Sequence, residues 1–530
     1  MCKTNGTLSC IVVMREISLT DKERQVFDRL IQVVDHFNLG IQLWVAGGWV
    51  RDKLLGKECC DIDISLDYML GRDFCEKMND YLISTGEKTQ KFEVIKCKPD
   101  QCKYVETART RVFDVWVDFV NLRSEDYTEY IRIPTIELGP EARDAYRRDL
   151  TINSLYYNIK TCSVEDFTGR GLDDLKTGKI VTPLPPIQMF LDDPLRVLRA
   201  IRFSARFNFE MVKELKVAAA DSNVKSAFSS KISKERIGHE IDHMVSGNQP
   251  VKAITSIYEL GLFWNVFTLP PYVEPLVPKE YDRICVASMD VAWRLMHAVG
   301  VGTFSDEQRR LYLYGALFLP LRKTVYLDNN NEIGSSVNHI FKNSLKVKVG
   351  NVIKLHDLLE NFSSLIPFMV SSESMKHVEV EWKSDMIDVP VPLKLRILLG
   401  LVLREIKDLW RVTLMLSIVL MKDSLVESVG NEIDVFRKAE ERILKLGLER
   451  VWEVKPLLGG REILQILELR DMGQRVGRWK KKLRQWQLAY PSGNVQEFID
   501  WMMNDDAKKV EALYNMKKPT GSTPCKSCIM

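Results

Sequence analysis

The chain has 530 residues, 45% of them hydrophobic and 28% charged, with a formal net charge of +3. That composition excludes large-scale disorder and predicts a globular chain of more than one domain. So small a net charge means that any nucleic-acid contact must come from local basic patches.

The first 15 residues contain Lys3 and Arg15, several Ser and Thr, and no acid. This pattern is compatible with a mitochondrial presequence and equally with a plain flexible start, and Met14 offers a second start codon. Glu16 to Phe37 has helical periodicity through Val26, Leu30, Ile31, Val34 and Phe37. Ile41 to Ala46 reads as a strand. Trp44 to Ser65, WVAGGWVRDKLLGKECCDIDIS, then reads as strand, glycine turn, short helix and second strand. Gly47 and Gly48 let a phosphate approach the main chain, and the helix from Val50 points its free N–H groups at the same spot. Asp61 and Asp63 stand two apart in a strand, so both carboxylates project from one face. Two hard oxygen ligands beside a phosphate-binding turn describe a divalent metal site for phosphoryl transfer.

Arg72 to Leu82 reads as a helix, and Phe92 to Cys97 and Val112 to Leu122 as strands. The stretch between those strands, KPDQCKYVETARTR, is polar and basic and reads as a mobile loop at the catalytic face. There Lys103, Arg109 and Arg111 are placed to approach triphosphate or RNA. By alternation Asp118 shares a face with Trp116 and Val120. An acid in so apolar a strand must be paired or metal-bound, which makes Asp118 the candidate third carboxylate of a two-metal scheme.

RRDLTINSL, Arg147 to Leu155, follows. The Arg148 guanidinium suits phosphate oxygens. Asp149 and Asn153 suit ribose hydroxyls or nearby backbone, and Asp149 is also a candidate N-cap for a helix from Leu150. Leu155 to Ile159 reads as a strand, VEDFTGRGLDDL (Val164 to Leu175) as a glycine turn and TPLPP (Thr182 to Pro186) as a linker. In FLDDPLRVLRAIRFSARF, Pro194 opens a helix on which Arg196, Arg199 and Arg202 recur every third residue. Ser233 caps a further helix carrying Glu235, Arg236 and Glu240. Val251 to Val266 is helical with a stop at Leu260-Gly261, and residues 280 to 450 are mostly helical patterns. No apolar run approaches the roughly 18 residues of a membrane span; Val412 to Met421 comes nearest and reads as buried helix. Near the end, Arg475, Arg478, Lys480, Lys481, Lys482 and Arg484 cluster with Trp479 and Trp486, a pattern suited to a phosphate backbone. Eleven cysteines, odd in number and without zinc spacing, predict reduced thiols in an intracellular compartment. Cys525 and Cys528 form a lone CxxC in a polar tail.

GGWVRDKLLG…DIDI resembles the opening motif of the class II tRNA nucleotidyltransferases of the polymerase-β-type superfamily, which add CCA to tRNA. RRDLTINSL resembles their second motif, VEDFTGRGLDDL their third, DDPLRVLRAIRF their fourth and SSKISKERIGHEIDHMV their fifth. The five stand in family order and cover residues 40 to 245 densely, with a looser likeness over 455 to 490. His239-Glu240-Ile241-Asp242-His243 formally matches HExxH, but it lies within the fifth motif and shows no third ligand, so it reads as bracing.

The resemblance implies an α+β fold: a polymerase-β-like head with a mixed sheet (21–182) after a flexible start (1–20), then an all-α neck (183–265), body (266–450) and tail (451–530). It implies Mg²⁺ on Asp61 and Asp63, with Asp118 as third acid. Phosphate falls to Gly47, Gly48, Arg51 and Arg148, and nucleotide also to Asp149 and Asn153. Asp193 and Arg196 are to read the incoming base, with Arg199 and Arg202 in support. A carboxylate beside a guanidinium matches the pairing edges of cytosine and adenine. Uracil and guanine turn a carbonyl toward the acid, an unmatched acceptor pair that costs roughly 1–3 kcal/mol. The partners implied are CTP, ATP and the tRNA 3′ end, the last gripped by Arg478, Lys480, Lys481, Lys482 and Arg484. No membrane and no obligatory protein partner are indicated. A CC-adding, A-adding or poly(A)-adding relative, or a non-catalytic tRNA-binding protein, would share much of this pattern. Cytoplasm and nucleus are expected, with mitochondria reached through the first start codon.

Overall fold

The computed structural model describes residues 11–59, 61–95, 106–122, 140–328, 330–348, 350–371, 386–421, 430–467 and 474–504. The chain forms two compact units, residues 1–286 with 323–349, and 287–322 with 350–530.

The first unit opens with α1 (Asp21–His36), which starts at a capping box between Thr20 and Glu23. Then come β1 (Leu43–Ala46), α2 (Gly48–Leu54), β2 (Ile62–Leu66), α3 (Gly71–Ser84), β3 (Phe92–Ile95), β4 (Thr107–Val112) and β5 (Val115–Asn121). After them stand α4 (Pro140–Arg147), β6 (Tyr156–Asn158) and β7 (Ser163–Glu165). The seven strands make one sheet in the order β3-β4-β5-β2-β1-β6-β7. Only β2 and β5 pair in parallel; every other pairing is antiparallel.

One face of the sheet is buried by α3, where the Phe74 and Phe119 ring centroids lie 5.0 Å apart. On the other face, Trp44, Ala46, Leu122, Ala145 and Tyr156 form a core cluster under α4. Exposed Asp61 and Trp116 and half-buried Asp63 and Asp118 mark where this face opens.

Two expectations need correction here. Residues 107–112 are not loop but strand β4, paired on both sides. Their buried face is Ala108, Thr110 and Val112, side chains too small and too mixed to give an apolar signal. Val112 to Leu122 is not one strand either. Phe113 and Asp114 take left-handed angles, φ 49° and 64°, and turn the chain between β4 and β5.

Helices then follow: α5 (Gly171–Thr177), α6 (Pro186–Asp192), α7 (Leu195–Phe207), α8 (Lys213–Ala220), α9 (Ser222–Lys231), α10 (Lys234–Val245), α11 (Pro250–Glu259) and α12 (Phe263–Val266). Small two-stranded pieces join Lys179–Ile180 to Glu210–Met211, and Val325–Leu327 to Ile333–Ser335. The second unit is helical. Its Trp410–Met421 helix is almost wholly buried, and no described helix is long and apolar enough to cross a membrane. The expected class therefore holds: an α+β head with a mixed sheet, followed by helices.

Candidate active site

Parallel pairing of β2 and β5 sets Asp63 opposite Asp118, and antiparallel pairing of β5 and β4 sets Asp118 opposite Arg109. Directly paired residues share a face, so Asp63, Asp118 and Arg109 form a row across the open side. Asp61 lies just before β2 and is exposed. Burial, with the Asp61 and Asp118 charges, pushes the Asp63 carboxyl up to about 6, against the pull of Arg148 and Arg109. The Asp118 carboxylate is taken at both oxygens by Arg109, from Nε at 2.5 Å and Nη2 at 2.7 Å. Among the described residues no three His, Cys, Asp or Glu side chains gather as a ready metal cage. Asp61 and Asp63 still present crowded hard oxygens with an unbalanced negative charge. This donor set fits a small divalent cation that keeps several waters and takes its remaining ligands from phosphate.

Gly47 follows β1 with φ 77°, an angle that disfavours any side chain. A Cβ there would also come 2.7 Å from Nη1 of Arg148. Arg148 is fixed from behind: its Nε donates to Asp144 at 3.0 Å and to the Tyr156 hydroxyl at 2.9 Å, and Tyr156 in turn donates to Asp144 at 2.5 Å. Burial works against this charge, but Tyr156 and Asp144 outweigh it and raise the guanidinium pKa. The outcome is a permanent, oriented cation beside the glycine turn and electrostatically coupled to Asp63.

Arg51 departs from the expectation that it holds phosphate. It is 3% exposed and bonded to Asp52 at 2.8 Å and to Asn153, with its guanidinium 4.9 and 4.7 Å from the Phe203 and Phe207 ring centres on α7. Arg51 thus fastens α2 to α7. The same helix is held to α1 by Lys53 and Trp49, which both donate to Glu23, at 2.8 and 3.0 Å.

Asp149 caps no α-helix; Thr151–Asn153 is a single 3-10 turn. Its carboxylate accepts from Leu150 N at 2.9 Å, from Asn153 at 3.0 Å and from Arg199 Nε at 2.7 Å. Burial alone would raise its pKa, yet Arg199 and Asn153 hold it at about 2. Arg199 and Arg202 share the buried Glu240 of α10, at 3.6 and 2.6 Å. A chain of pairs therefore runs from α10 through α7 to Asn153 and Arg51.

At the start of α7, Asp193 is bonded to Arg236 at 2.9 Å. Arg196 reaches the carbonyls of Arg147 at 2.9 Å and Met189 at 3.4 Å. Arg196 stands one turn before Arg199 and is close enough to Asp149 to stabilise its charge. Asp193 and Arg196 therefore already have partners within the first unit. None of the pairs Arg109–Asp118, Arg51–Asn153, Arg148–Tyr156 or Asp193–Arg236 had a signal in sequence spacing.

His239 and His243 meet at 3.0 Å through their Nε2 atoms, while Glu240 between them pairs with Arg202. In the second unit, Arg478, Lys480, Lys481 and Arg484 are exposed on the Gln474–Ala489 helix. Lys482 is not: it is buried, with its ammonium 4.6 Å from the Trp479 ring and 5.7 Å from the Trp501 ring. Its long stem and charge serve packing. Lys103, Cys525 and Cys528 lie outside the described residues.

Residues 43–181 match the family described as the poly A polymerase head domain. The chain is 32% identical to the mitochondrial CCA tRNA nucleotidyltransferase of Candida glabrata, covering 92% of this chain and 96% of that one. It is 30% identical to the tRNA nucleotidyltransferase cca2 of Schizosaccharomyces pombe, covering 92% and 99%. In structure it is similar to the Thermotoga maritima CCA-adding enzyme complexed with tRNA, with a TM-score of 0.57, 18% identity, and 93% and 99% of the two chains covered.

Proposed function

Because the chain belongs to the class II CCA-adding enzymes of the polymerase-β superfamily, we propose that it adds C, C and A in turn to the 3′ end of tRNA, using CTP and ATP and no nucleic-acid template. The observation that carries this reading is the Asp63–Asp118 row opening beside the Gly47 turn and its anchored Arg148.

The terminal 3′ hydroxyl attacks the α-phosphorus of the nucleotide. A new phosphodiester forms and the bond to pyrophosphate breaks, three times in succession. The triphosphate lies against the N-terminus of α2, with Gly47 and Gly48 admitting it and Arg148 neutralising it. Asp61 and Asp63 would hold Mg²⁺, which when bound lowers the pKa of the attacking hydroxyl and offsets charge on the phosphates. Arg109 holds Asp118 in place beside Asp63. Asp193 and Arg196 read cytosine and adenine, while Asp149, Arg199, Arg202 and Glu240 keep α7 in register with the head. The exposed Arg478, Lys480, Lys481 and Arg484 contact tRNA phosphates. The mitochondrial relative supports a mitochondrial site of action through residues 1–14, with cytoplasm and nucleus served from Met14.

The test is incorporation. Purified protein, tRNA ending at the discriminator base, and CTP or ATP supplied separately and together should yield CC from CTP alone and CCA from the mixture. Asp63→Asn should reduce both by more than a thousandfold while leaving the melting temperature of the chain within a few degrees. Products that stop at CC, or UTP used as readily as CTP, would sink the assignment.

A further inference from the structure

Trp116 is 45% exposed on β5, on the open face and one alternation from Asp118. Cross-strand register places it opposite Arg111 of β4. The Arg111 guanidinium lies 4.7 Å from the Trp116 ring centre, and that of Arg109 lies 5.9 Å away. An indole left this open in a sheet whose other face is closed forgoes a large burial gain. Nothing in the handling of the nucleotide described above uses it.

The reaction geometry says what would cover it. On the reading proposed above, pyrophosphate leaves from the Gly47 and Arg148 end, the β1 side of the acids. In-line displacement requires the entering hydroxyl to come from the opposite side of phosphorus. The sheet order β4-β5-β2-β1 makes that opposite side β5 and β4. The RNA end must therefore approach across the two strands that carry Trp116, Arg109 and Arg111.

We propose that Trp116, backed by Arg111, is the platform on which the terminal base of the tRNA acceptor strand stacks, so that its 3′ hydroxyl is presented at the Asp63–Asp118 row. The chemistry of the occupant favours a ring over a hydrogen-bonding reader. The end being extended is first the discriminator base, then C, then C again, so the site must accept changing pairing edges. Every base offers a π-face, and stacking on an aromatic is tolerant of sequence. Base choice is left to the nucleotide side, where Asp193 and Arg196 stand.

The experiment uses the full-length enzyme with three tRNAs, ending at the discriminator base, at C and at CC, titrated under saturating CTP or ATP. Trp116→Ala should raise KM for all three tRNAs about tenfold. Its kcat at saturating tRNA should change less than about threefold and its KM for CTP less than twofold. Trp116→Phe should recover most of the loss, and Arg111→Gln should give a smaller rise in the same parameter. A tRNA KM within twofold of wild type in Trp116→Ala, or a rise confined to CTP or ATP, overturns the platform while leaving CCA addition intact. Wild-type protein that adds neither CMP nor AMP overturns the proposed function, and the platform with it.

Discussion

The Asp149–Arg199 pair ties the turn after α4 to the helix carrying the proposed base readers, and its strength can be predicted. Asp149 is held at about 2 against a usual 3.8. Its side chain is 10% exposed, so solvent screening removes little. The shift amounts to about 2 kcal/mol of native-state stabilisation, of which Arg199 is the largest favourable source. The sign follows from a depressed acid. The contribution is fully present above about pH 4 and is lost as pH falls through about 2. Asp149→Asn, Arg199→Gln and the double variant form a cycle read by urea unfolding at pH 7. Two compact units need not unfold together, so the cycle is taken on the transition that Asp149→Asn moves. Because Asn153 and Arg196 share in the shift, we expect a coupling of about 1–2 kcal/mol at pH 7, shrinking toward zero near pH 2. A coupling below about 0.5 kcal/mol at pH 7 would refute the reasoning, since that is the scatter expected of independent sites.

Other outcomes follow from single contacts. A Cβ at Gly71 would lie 2.5 Å from the Phe119 carbonyl oxygen and 2.9 Å from its Cβ; Gly71→Ala should cost about 1–3 kcal/mol by overpacking. It should also lower kcat by shifting β5, and with it Asp118, and an unchanged kcat would show that the strand does not transmit the shift. Tyr156→Phe removes the hydroxyl that links Arg148 to Asp144 and should raise KM for CTP several-fold, with KM for tRNA unmoved. Arg478→Glu combined with Arg484→Glu should weaken tRNA binding and flatten its salt dependence by about two phosphate contacts. Lys482→Ala, by contrast, should lower the melting temperature and leave the salt slope of tRNA binding alone; a changed slope would place that ammonium on the RNA after all.

The parts of the site that are local in sequence were legible. Gly47-Gly48, a short helix starting within two residues of its place at Gly48 and an acid at Asp63 on β2 are short-range patterns, and Pro194 marked the start of α7. Parity of the strand also put Asp118 and Trp116 on one face. What remained hidden was set by partners far along the chain. Arg51 stands next to the glycine turn in sequence, yet Phe203 and Phe207 draw it into the core. Lys482 sits in a run of exposed cations, but Trp501 closes over it. β4 escaped notice because the residues it buries are Ala108, Thr110 and Val112, which lack the bulk that usually signals a strand.

The lone parallel pairing in the sheet has a bearing on how such a chain can change over time. β5 returns beside β2 only after β3 and β4 have been laid down as the outer edge. Both outer strands therefore lie beyond β5 from Asp63. The step between the neighbouring acids is fixed by the β2–β5 register alone, so a change of length between β3 and β4 leaves the reactive spacing to be inherited untouched.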